Sequence, residues 1–155
     1  MPYNIRVFIW RTTMEPLRIG TEDLIYHAFY LVKSRTKAVS PSLSYAQVNK
    51  YIADVKAGLD QYNINYEIFN GATKISANKG FRQDVFNRMV NVYMINDKQN
   101  KRYVLPSEIE EDILYARTSS VAPLFLRGFL EPIGYEEVLN LNAKNKESEP
   151  GDDNQ

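Results

Sequence analysis

The stretch from Thr21 to about Ser34 constrains the fold more than any other part of this chain. It has helical spacing and is apolar over most of its circumference. Thr21 is placed to cap the helix, and Glu22 and Asp23 suit its first turn, where acids meet the positive end of the helix dipole. Leu24, Ala28, Leu31 and Val32 mark one face, and Ile25 and Phe29 extend it sideways. A helix with so wide an apolar surface has to be covered on several sides. The rest of the chain must supply that cover. Its 155 residues, 44% hydrophobic and 25% charged, suffice for one core, since a domain takes roughly 100–200 residues.

The covering elements can be read in order. Tyr3 to Trp10 is rich in β-branched and aromatic residues with both faces partly apolar, as in a central strand. Arg11 to Gly20 reads as a polar connection, and Thr36 to Ser42 as a loop. Ser44 with Gln47 forms a capping box that opens a second helix, with Tyr45, Val48, Ile52, Val55 and Leu59 on one stripe. Lys50 with Asp54, and Lys56 with Asp60, sit four apart on its outer surface, so that face is mixed in sign.

Next comes QYNINYEIFNGATKIS, Gln61 to Ser76, read as a hairpin about Asn70-Gly71, the dipeptide that best tolerates two positive φ angles in succession. That register sets Glu67 opposite Lys74 and Tyr66 opposite Ile75. The outer face is balanced in charge, which fits a hairpin covering the core better than one reading a nucleic-acid groove. Phe81, Val85, Phe86, Met89 and Val90 have the spacing of a short third helix. Asn91–Ile95 and Lys101–Leu105 read as strands about the turn NDKQN. Ser107 with Glu110 is a second capping box, opening a fourth helix to about Arg117.

Beyond it, residues 119–141 form an apolar run broken by Pro123, Gly128, Pro132 and Gly134, which excludes long helices. The expected fold class is therefore α+β: about four helices packed on antiparallel β-hairpins, in the order β-α-α-β-β-α-β-β-α. One domain is expected over residues 1–141, followed by a disordered acidic tail over 142–155.

Composition narrows the chemistry. Cysteine is absent and His27 is the only histidine, so a structural zinc site built from this chain is not expected, nor is any other metal or cofactor. A catalytic His27 would need a partner brought in by folding. Glu108, Glu110, Glu111 and Asp112 could in principle hold a hard cation, but they point several ways around a helix start that attracts acids anyway. There is no GxxxxGK[ST], GxGxxG or GxSxG pattern. No secretion-signal pattern, no run of about 18 apolar residues and no glycosylation sequon occurs, so no membrane association and a cytoplasmic location are expected.

Net charge is zero but uneven: residues 1–105 hold 15 Lys and Arg against 8 Asp and Glu, and residues 106–155 hold 4 against 11. Two binding surfaces are worth weighing. One is the interrupted apolar run, with Leu124, Phe125, Leu126, Phe129, Leu130 and Ile133, which suits an arm laid on a protein partner or a second copy, or folded back on its own core. The other is basic: Lys33, Arg35 and Lys37 in one loop, and Lys79, Arg82 and Arg88 after the first hairpin, where cations and hydroxyls suit phosphates. The Asn- and Tyr-rich make-up resembles, in composition only, small phage or mobile-element proteins, for which a virion location would be the alternative. The expectation is a non-catalytic interaction or assembly subunit, with nucleic-acid binding as the alternative.

Overall fold

The structure, a computed structural model, describes residues 16–121. The strand expected at Tyr3–Trp10, the run from 122 to 141 with its six apolar candidates, and the tail at 142–155 lie outside the described residues. The chain is an α+β fold. Its elements are β1 (Leu17–Gly20), α1 (Thr21–Thr36), β2 (Ser42–Ser44), α2 (Tyr45–Gln61) and β3 (Tyr66–Phe69). A 3₁₀ turn (Ala77–Lys79), α3 (Gln83–Met89), β4 (Ile95–Asp97), β5 (Arg102–Val104) and α4 (Glu111–Arg117) follow.

Helix α1 is central, as its composition requires. Every residue from Asp23 to Phe29 is buried, and so are Leu31 and Val32. It packs against α4 on one side, α2 on another, and β1 at its start. Leu24, Phe29 and Val32 meet Tyr51, Val55 and Leu59 of α2, Ile113 and Leu114 of α4, and Leu43 and Leu105 of the sheet in one apolar cluster. The capping box forms at α2 as the residues dictate: Gln47 N donates to Ser44 Oγ at 3.1 Å, and Ser44 N donates to Gln47 Oε1 at 2.7 Å. The Lys50–Asp54 pair also forms, at 3.0 Å.

The expected hairpin at 64–77 does not form. A type I′ turn needs positive φ at both central residues, and here only Gly71 has it, at 133°. Strand β3 pairs instead in parallel with β1, Leu17 opposite Tyr66 and Gly20 opposite Phe69. Glu67 meets Arg18 at 3.3 Å rather than Lys74. The residues read as a polar connection thus hold a strand, and its partner lies 49 positions away.

After β3 the chain crosses the start of α1. Gly71 N donates to Thr21 Oγ1 at 3.2 Å, and Glu22 N donates to Gly71 O at 2.9 Å. Thr73 donates from both its backbone N and its hydroxyl to Asp23 Oδ2, at 3.0 and 2.9 Å. Thr21 is therefore a helix residue that anchors the crossing segment, and Gly20 stands at the N-cap. The helix start gains its bonds from a distant segment rather than from a local cap.

The second sheet has the order β2-β5-β4, antiparallel throughout. Asp97 sets its turn, accepting from Asn100 Nδ2 at 2.9 Å and Arg102 Nε at 3.0 Å. Those bonds, the Asn100 amide first, hold its carboxyl below the usual carboxylate range. The second capping box is absent: α4 begins later, at Glu111, and Glu110 occupies the N-cap without a side-chain cap bond.

The crossing leaves no room for a side chain at residue 20. A Cβ there would stand 2.5 Å from Gly71 O and 2.8 Å from Asp23 Oδ2. Both neighbours are fixed by their own hydrogen bonds. Gly20→Ala should therefore lower stability by about 1–3 kcal/mol, the usual range for overpacking. Urea unfolding measures it, and a variant as stable as the parent would contradict the tight crossing.

Candidate functional site

His27 sits inside the molecule. It is 0% exposed, and its Nδ1 shares a hydrogen bond with the hydroxyl of Tyr51, itself 0% exposed. Burial lowers the imidazole pKa from its ordinary 6.5 to about 3 and raises the Tyr51 hydroxyl well above its ordinary range. The pair is neutral. With no exposed surface, His27 presents no proton acceptor to a substrate in solvent, so its place is in the core.

The acidic cluster is bound to arginine. Arg88 donates to Glu110 Oε1 at 2.8 Å and Asp112 Oδ2 at 2.9 Å, and lies 3.6 Å from Asp84. Arg82 lies 3.5 Å from Asp84 and 3.9 Å from Asp112. Burial opposes ionisation of Asp112, but the bonds from Arg88 and from Ile113 N outweigh it and hold the carboxyl below the usual range. Among the described residues no group of three or more His, Cys, Asp or Glu is placed to hold a metal ion.

The six basic candidates therefore do not form one surface. Arg82 and Arg88 join α3 to the start of α4. Lys33 donates to the carbonyls of Ala38 and Val39, at 3.4 and 3.2 Å, and so ties down the loop after α1. Arg35 is in the last turn of α1, and Lys37 is its left-handed C-cap, with φ 59°. Lys79 ends the 3₁₀ turn, away from that loop.

A different cluster surrounds Arg117, which belongs to the last turn of α4. There a cation ordinarily serves only to complement the helix dipole. Its side chain is folded inward and is 7% exposed. The guanidinium carbon stands 5.0 Å from the Tyr26 ring centroid and 4.6 Å from that of Tyr93, and Nη2 donates to the Val92 carbonyl. Tyr26 in turn accepts from Met94 N at 3.1 Å. Among the described residues, Arg117 Nε has no hydrogen-bond partner, and neither does the buried hydroxyl of Ser120.

Two clefts open on either side of Tyr93. The first, of about 460 Å³, is lined by Arg117, Ser120, Thr73, Lys74, Lys79 and Phe81, among others. The second, of about 440 Å³, lies against Ile25, Val48, Ile52, Met94 and Tyr103. Glu22, Tyr26 and Tyr93 line both. Clefts of about 300–1,000 Å³ are the size that takes small ligands or anchor side chains. Of the sequence candidates among the described residues, only Lys79 lies here.

Burial of His27 has a consequence in acid. The unfolded chain takes up a proton near the ordinary pKa, whereas the folded chain resists it down to about 3. Stability should be insensitive to His27 above this window and fall through it as pH drops, with a slope approaching about 1.4 kcal/mol per pH unit. A folded His27→Gln variant should lose that part of the slope between roughly pH 6 and pH 4.5. Equal slopes in the two proteins would refute a buried neutral imidazole. Comparison with family models, curated proteins and solved structures finds no match to this chain, so its function has to be argued from the chemistry of these residues.

Proposed function

We propose that this chain is a non-catalytic interaction or assembly subunit, which binds a protein partner or further copies of itself. The observation that carries the reading is strand β4. It is the edge of its sheet among the described residues, so one row of its backbone groups is open to pairing. Its first residue, Ile95, is 52% exposed, and Tyr93 just before it is 56% exposed. An open edge flanked by apolar and aromatic side chains is the surface that takes an added strand. The cleft beside Met94 and Tyr103, of mixed polar and apolar lining, is placed to receive alternate side chains of such a strand.

The alternative, nucleic-acid binding, loses support from the use of its cations. Lys33, Arg82 and Arg88 are held by carbonyls and carboxylates of the chain itself. No helix among the described residues is long and apolar enough to cross a membrane.

The contact surface is expected to combine the β4 edge with the apolar residues Leu124, Phe125, Leu126, Phe129, Leu130 and Ile133. Self-association is tested by light scattering on the full chain. Ile95→Lys should lower the mass of any oligomer, because a charge on an edge strand opposes pairing, and Phe125→Ser with Phe129→Ser should do the same. An oligomer of unchanged mass in both variants would remove the self-assembly form of the proposal.

A further inference from the structure

We infer that the cleft over Arg117 is a binding site for a small organic phosphate. Among the described residues three cations line it: Arg117, Lys74 and Lys79. None of the three lies within 4.0 Å of a carboxylate among the described residues, whereas Arg18, Arg82, Arg88 and Arg102 all do. Arg117 is the exceptional member. A buried guanidinium is stable only when its charge and its N–H groups are met. Here two tyrosine rings and one carbonyl meet part of that need, and the Nε–H is left without an acceptor.

The surroundings favour an oxyanion. Ser120, whose buried hydroxyl has no partner among the described residues, lines the same cleft. Lys74 and Lys79 are exposed at its rim and free to move toward an incoming anion. A neighbouring hollow is lined by Arg18, Lys74, Lys79, Thr73 and Ser120, with no acid among the described residues, so the positive side of the cleft continues outward. Glu22 and Asp23 also line the cleft. Asp23 is already engaged by two bonds from Thr73, which leaves it less able to neutralise the cations.

Guanidinium, ammonium and hydroxyl donors together suit the several acceptor oxygens of a phosphate better than the two of a carboxylate. Phe81 and Tyr93 supply ring faces on the same cleft, which suits a phosphate carried on an aromatic or heterocyclic group. The cleft shares Tyr93 with the proposed strand-pairing surface but not Ile95, and its cations take no part in that surface, so phosphate binding can fail without affecting self-association.

The test is calorimetric titration of the full chain at low salt with inorganic phosphate, adenosine 5′-monophosphate, succinate and a single-stranded oligothymidylate. Phosphate should bind, and the monophosphate more tightly. Lys74→Ala with Lys79→Ala, both exposed, should weaken both by about tenfold, in keeping with the loss of charge-assisted bonds. Arg117→Lys should weaken them as well, because it keeps the charge but removes the planar fork of guanidinium donors. If Arg117→Lys does not fold, as read by near-ultraviolet circular dichroism, the lysine pair decides alone. The proposal is overturned if neither phosphate compound binds at millimolar concentration, or if the lysine double variant binds as the parent does. It is equally overturned if succinate binds as tightly as phosphate, or if only the oligonucleotide binds.

Discussion

Helix α1 is buried without a break from Asp23 to Phe29, so the polar side chains within it have no water to turn to. Each has to find a partner elsewhere in the chain, because an unmet polar group in the interior costs about 1–3 kcal/mol. The three partners lie in three directions. Asp23 holds Thr73 in the segment that follows β3. Tyr26 holds the backbone of Met94, just before β4. His27 holds Tyr51 in the middle of α2. The apolar surface of α1 gathers the other elements around it, and these bonds fix where along the helix each one sits.

The same arrangement produces the candidate sites. Tyr26 is within reach of Arg117 because its hydroxyl is held at Met94, and Tyr93, one residue before, also packs against the guanidinium. The clefts on both sides of Tyr93 follow from that stack. A polar ring is needed at position 26 to satisfy the core, and its placement orders the floor of a surface hollow.

What could be read from the sequence was local. The capping box at Ser44 and Gln47 is a bond between residues three apart, and it forms as expected. The central position of α1 followed from its composition alone. Of the two strands read about the turn NDKQN, the second forms within Lys101–Leu105, as Arg102–Val104, whereas the first is not at Asn91–Ile95 but begins at Ile95 and runs to Asp97, whose side chain holds the turn through Asn100. What failed was decided at long range. Asn70-Gly71 is a strong local hairpin signal, but Thr21, Glu22 and Asp23 offer the following segment more hydrogen bonds than a second strand would in isolation. Glu110 resembled half of a capping box, yet its carboxylate is drawn to Arg88, 22 residues earlier. Arg117 looked like an ordinary helix-end cation. Its inward turn depends on Tyr26, Tyr93 and Val92, which carry no mark of that role in their own neighbourhoods.

The parallel pairing of β1 with β3 bears on the order of folding. Two strands joined through α1, β2 and α2 cannot meet until that intervening chain is compact, since closing a long loop costs entropy before any contact offsets it. The antiparallel pair β4 and β5, joined by a short turn, has no such delay. The start of α1 is tied to the residues just beyond β3, so its first turn becomes secure only when that late pairing is made. The most deeply buried helix among the described residues thus has an N-terminus that is among the last parts to lock.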